Sequence, residues 1–91
     1  MKKGWYVYVI QSQRGIFRYK GMSRNPSDRL KNHNAGKVRA TKNYRPFEII
    51  YMEYVGERSE ARKRERYLKS ATGRKFIEKQ IEERNEGSQP D

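Results

Sequence analysis

Tyr19-Lys20-Gly21-Met22-Ser23-Arg24-Asn25-Pro26-Ser27-Asp28-Arg29-Leu30-Lys31-Asn32-His33 is the stretch whose reading decides the fold. An extended segment ends at a glycine, and a helix begins. Asn25 suits the N-cap and Pro26 the first helical position. Asp28 falls in the first turn, where a carboxylate meets the positive end of the helix dipole. Arg29 and His33 are four apart and share a helix face. A phenol, a guanidinium and the chain's only imidazole therefore fall in one short span. Such a junction either presents several polar groups to one ligand or is an ordinary strand-to-helix connection with a polar surface.

Upstream, Trp5–Ser12 is rich in aromatic and β-branched residues and reads as a strand. Trp5, Val7 and Val9 face one side, Tyr6, Tyr8 and Ile10 the other. Both faces are apolar, so the strand is central in a sheet covered on both sides. Gln13-Arg14-Gly15 connects it to a second antiparallel strand, Ile16–Gly21, with Phe17 and Tyr19 on one face. The helix after it is expected over Pro26–Ala35, with Gly36 as its stop and Leu30 as its main apolar anchor.

Downstream, Lys37–Arg45 is a basic loop, ended by Pro46. Phe47–Val55 reads as the third strand. Ser59 is an N-cap candidate for a helix over Glu60–Ser70. Ala61, Glu65 and Leu68 share a face of it, which puts a carboxylate in the stripe that should meet the sheet. Ala71-Thr72-Gly73 is expected to break that helix, and a last helix runs over Arg74–Glu83, burying Phe76, Ile77 and Ile81. Residues 1–84 are expected to form one domain. Residues 85–91 read as a disordered tail.

The chain has 91 residues, 33% hydrophobic and 36% charged, so the core is small and its aromatics (seven Tyr, three Phe, one Trp) must supply much of the buried area. There is no cysteine, which suits a cytoplasmic protein. No apolar run is long enough to span a membrane, and Gly4–Ile10 alternates like a strand rather than a signal peptide. The net charge is +11. Between Arg14 and Arg45 stand ten Lys or Arg against the single acid Asp28. From Met52 onward ten bases meet nine acids. The excess is local and points to a polyanion, with Lys20, Arg24, Lys31, Lys37, Arg39, Lys42 and Arg45 as nucleic-acid contacts. A solubilising surface is the plainer alternative.

Glu65 is the informative carboxylate. An inward glutamate is costly unless paired or bound to a cation. It is either the partner of a neighbouring Arg or Lys or a Mg²⁺ ligand facing a phosphate, with water and phosphate completing the shell. One His and no Cys exclude Ser–His–Asp and Cys–His sets, and no Walker-type loop or zinc spacing is present.

Tyr6-Val7-Tyr8, Tyr19-Lys20-Gly21, Arg29, His33 and Glu65 together resemble the GIY-YIG nuclease superfamily. The likeness is to its small stand-alone members, related to the nuclease domain of bacterial excision-repair endonuclease C. Tyr44-Arg45-Pro46-Phe47 and Arg58-Ser59-Glu60-Ala61 also resemble that subfamily, so the likeness covers Trp5–Ile81. Tyr6 stands where the family often has Gly, Lys20 where it has an apolar residue, and Met22 where it usually has Thr or Lys.

The resemblance implies an α+β fold, a three-stranded antiparallel sheet flanked by helices. It also implies a metal-dependent endonuclease that hydrolyses DNA, with a role in DNA repair. By position, Tyr19 would activate the attacking water and Arg29 would stabilise the transition state. Glu65 would hold one Mg²⁺ or Mn²⁺. His33 would take part in proton transfer, and Tyr8 would support the site by hydrogen bonding. Branched or damaged DNA, and a protein partner supplying specificity, are the expected partners. A catalytically silent nucleic-acid-binding module is the alternative.

Overall fold

The computed structural model describes residues 2–87. Three strands, β1 (Trp5–Ser12), β2 (Arg18–Ser23) and β3 (Phe47–Gly56), form one antiparallel sheet in the order β2-β1-β3. Three helices flank it: α1 (Pro26–Asn34), α2 (Arg58–Lys69) and α3 (Ala71–Gly87). The central place of β1 and the α+β architecture agree with the sequence reading.

Alternation along β1 splits the core in two. Val7 and Val9 point to one face and are sealed by Ala61 and Leu68 of α2 and Ile77 of α3. Tyr8 and Ile10 point to the other, where Phe47 completes the buried set and Phe17, Tyr19 and Leu30 pack around it. Tyr8 lies opposite Gly21 of β2.

Several boundaries differ from expectation. β2 begins at Arg18, and Ile16 sits at the hairpin tip, 94% exposed, rather than in the strand. The N-cap of α2 is Glu57, not Ser59, and its side chain makes no capping bond. Gly73 does not break a helix; it lies buried in the first turn of α3, against the end of α2. Residues 85–87, expected in the tail, belong to α3, which continues to Gly87, and the rest of the expected tail lies outside the described residues.

At the start of α1 the expected signals operate. Asn25 caps the helix by accepting from the Asp28 amide at 3.2 Å, and Pro26 follows at the first turn. The buried side is filled by Pro26 and His33 as much as by Leu30, so its thin apolar stripe is completed by an imidazole. Asn34 then ties α1 to β3. Its amide donates to the Phe47 carbonyl at 3.1 Å, and its carbonyl oxygen accepts from the Phe47 amide at 2.7 Å. The intervening loop holds a 3-10 turn over Lys42–Tyr44 and is fastened again where the Ser12 hydroxyl donates to the Tyr44 carbonyl at 2.6 Å.

Among the described residues, no helix is long and apolar enough to cross a membrane.

Candidate functional site

Gly21 is where the site is made. A Cβ there would come within 2.6 Å of the Tyr8 hydroxyl and 3.1 Å of the Tyr19 ring. Only a residue without a side chain lets the Tyr8 phenol lie across β2. The phenol thereby reaches α1, with Tyr8 Oη 2.9 Å from His33 Nε2. The Tyr19 ring packs against both, with centroids 6.4 Å from Tyr8 and 5.0 Å from His33.

The imidazole is fully buried. Its other nitrogen, Nδ1, lies 2.8 Å from Thr41 Oγ1, whose hydroxyl is also within 3.4 Å of the Val38 carbonyl. The hydrogen directions follow from this chain. Thr41 donates to the carbonyl, so its oxygen accepts from Nδ1–H, which leaves Nε2 to accept from the Tyr8 hydroxyl. The protonation states agree. Burial, then the neighbouring Arg29 guanidinium, lower the His33 pKa to about 4. Burial, then Tyr19 and more weakly Glu65, push Tyr8 up to about 12 against the opposing pull of Arg29. At neutral pH His33 is an uncharged acceptor and Tyr8 a fixed donor.

His33 is the chain's only histidine, which gives a clean pH prediction. Unfolded His33 takes a proton near pH 6.5; folded His33 does so only near 4. Between these values the unfolded state binds more protons, so stability falls as pH falls. Denaturant titrations should show the unfolding free energy dropping from pH 6.5 to 5, at up to ~1.4 kcal/mol per pH unit. A His33→Gln chain should be flat over that window. An equal slope in both chains would contradict the assignment.

Glu65 lies on α2, which packs on the opposite face of the sheet from Tyr8. Its side chain is 13% exposed, between Ala61 and Leu68 on α2, and pairs with Lys69 at 3.5 Å. Its charge is felt at Tyr8, as is that of the half-buried Arg29 on α1. Tyr8, Tyr19 and His33 are thus in mutual contact, and the charges of Arg29 and Glu65 act on Tyr8. Among the described residues no group of three His, Cys, Asp or Glu could cage a metal. A lone carboxylate suits Mg²⁺, which keeps several waters and binds through one or two carboxylates plus phosphate oxygens.

The basic residues divide. Lys20 alternates with Tyr19 and lies on the opposite face, where burial and then Arg74, Arg18 and Lys69 hold its pKa below the usual value. Its neighbour Met22 packs into the Val7–Val9 core. Arg24, Lys31, Lys37, Arg39 and Lys42 are exposed on or after the β2–α1 junction. Arg45 is engaged within the chain: its guanidinium lies over Gly36, and its Nε donates to the Lys42 carbonyl at 2.7 Å. Thr41 was not legible as a site residue. A threonine in a polar loop carries no signal until the loop is seen to fold back over α1.

A model described as the GIY-YIG catalytic domain matches residues 4–80. A UPF0213 protein of Staphylococcus haemolyticus is 36% identical over 80 residues, 87% of this chain and 95% of that one. One from Desulfotalea psychrophila is 36% identical over 70 residues, 75% of this chain but only 63% of the relative, so the chain spans less than two thirds of that protein. One from Staphylococcus aureus is 34% identical over 73 residues, covering 79% of this chain and 88% of the relative. No solved structure matches.

Proposed function

The chain belongs to the GIY-YIG catalytic domain family, and from that premise we propose that it is a divalent-metal-dependent endonuclease acting on DNA. The observation that carries the reading is the convergence at Tyr8. Its hydroxyl is fixed by His33, its ring packs against Tyr19, and the opposite charges of Arg29 and Glu65 both act on it. Two phenols, a guanidinium and a partly buried carboxylate beside a basic loop suit phosphodiester hydrolysis better than any reaction needing a nucleophilic side chain.

The roles divide by environment. Tyr8 holds its proton and spends it on His33, so it is a support and not a base. Tyr19 is the phenol left to orient the attacking water, and it would take the water's proton only after giving up its own to solvent. Arg29 offers a planar fork to the phosphate oxygens that gain charge in the transition state. His33, buried away from solvent, positions Tyr8. Glu65 would hold Mg²⁺ or Mn²⁺, which supplies positive charge against the scissile phosphate.

Gly21→Ala probes this arrangement. The added methyl displaces the Tyr8 phenol, and the hydroxyl loses its place at His33 Nε2. A displacement of about 1 Å costs roughly a hundredfold in rate. Single-turnover cleavage should slow by about that factor, while far-UV circular dichroism keeps its shape.

The Glu65–Lys69 pair favours a second reading, a DNA-binding module without catalysis. A cleavage panel over single-stranded, duplex, flapped and branched DNA, with Mg²⁺ or Mn²⁺, separates them. Metal-dependent nicking that disappears in Glu65→Ala supports the nuclease. Intact DNA in every lane, with salt-sensitive binding that survives Glu65→Ala, supports the silent module.

A further inference from the structure

The β1–β2 hairpin tip and the end of the basic loop form a feature that hydrolysis does not require. Ile16 is 94% exposed at the tip. The next residue, Phe17, stacks on Tyr44, with centroids 4.2 Å apart and planes 13° from parallel. Phe17 also meets Phe47 edge-on at 6.1 Å, so the stack is backed by the core. Tyr44 stays 46% exposed, while its carbonyl is held by Ser12. A single exposed isoleucine is ordinary on a protein surface. An exposed isoleucine beside a fixed aromatic stack is a different object.

The surrounding charge is of one sign. The cleft along the stack is lined by Ser12, Arg14, Ile16, Phe17, Asn43 and Tyr44. The adjoining cleft adds Lys42 and Arg45, and no carboxylate lines either one. A flat π-face among cations suits a nucleobase and its phosphate, since base stacking on aromatic rings tolerates any sequence. Phe17 and Tyr19 lie two residues apart on one face of an extended segment, about 7 Å. That is about two base steps of a nucleic-acid strand.

We propose that Ile16, Phe17 and Tyr44 form a subsite for an unpaired base beside a duplex end, so that the preferred DNA carries a junction between single and double strand. Ile16 caps the last base pair as an apolar wedge. Tyr44, stiffened by Phe17 beneath it, takes the first unpaired base. The assignment rests on DNA being the ligand of the neighbouring site, and it names which DNA.

The test is the affinity of the full chain, in EDTA so that nothing is cleaved, for a fluorescein-labelled splayed-arm duplex and for a fully paired duplex of the same length. A 2-aminopurine at the first unpaired position reports stacking. The expected result is tighter binding of the splayed duplex and quenched 2-aminopurine. Tyr44→Ala should weaken the splayed complex at least about fivefold and leave the paired one unchanged, and Ile16→Ala should weaken the splayed complex. Tyr44→Phe should restore both affinity and quenching. Equal affinity for the two duplexes, or equal weakening of both by Tyr44→Ala, overturns the subsite while leaving the nuclease reading to its own cleavage panel. No binding of either duplex overturns the subsite and its premise together.

Discussion

Glu65→Gln should lower the rate of metal-dependent DNA cleavage by about a thousandfold or more. Charge stabilisation by a bound metal is worth several kcal/mol in the transition state, and each 1.36 kcal/mol is a factor of ten. The substitution keeps the shape and nearly the volume of the side chain. It removes one i, i+4 ion pair with Lys69, itself 55% exposed, and such pairs contribute only ~0.3–0.5 kcal/mol. Activity should therefore fall far more than stability. Lys69→Met supplies the control. If Glu65 matters only as the partner of Lys69, Lys69→Met should lose as much activity as Glu65→Gln. If Glu65 holds the metal, Lys69→Met should keep metal-dependent cleavage. Rates titrated against Mg²⁺ and Mn²⁺ for the three chains decide between these outcomes.

Gly73→Ala should be the most damaging small change to the fold. A methyl there would stand 2.6 Å from Leu68 Cα and well inside contact distance of the Tyr67 carbonyl oxygen. Both obstacles are main-chain atoms of α2 and cannot rotate away. Ser70 alone separates α2 from α3, and its hydroxyl accepts from the Gly73 amide at 3.1 Å, so the corner has no slack. Leu68 and Ile77, on either side of it, seal the Val7–Val9 core. Overpacking of this kind costs up to ~3 kcal/mol or more, and each kcal/mol shifts Tm by about 4–8 °C in a domain of this size. The expected loss exceeds about 10 °C in a thermal melt. Gly15→Ala is the matched control, because a methyl at Gly15 meets nothing within 4 Å and should leave Tm in place.

Gly73 also shows what the sequence hides. Its composition context, Ala71-Thr72-Gly73, reads as a break, because a glycine is judged by local propensity. Its true reason is the approach of a neighbouring backbone, which no local pattern encodes. β1 was legible for the opposite reason. Its alternating apolar residues report a two-sided burial that any central strand must have. Glu65 was legible as an anomaly, a carboxylate in an apolar stripe, and it does lie nearly buried. His33 was legible as a helix-face partner of Arg29, but its complete burial was not, since that depends on Thr41 closing over it. Ile16 reads as strand in the sequence yet is exposed at the hairpin tip, because hydrophobicity alone cannot tell a core position from a tip.

The two bonds from Asn34 to Phe47 carry a last consequence. With Thr41 anchored to His33 and Tyr44 to Ser12, they turn a basic loop into a closed clasp. The loss of chain entropy that comes with ordering such a loop occurs at folding, not at encounter. DNA therefore meets a charge array that already has its shape. Association should behave as a rigid-body collision, fast at low ionic strength and slowed by salt. Its heat-capacity change should be small, because little chain folds on contact.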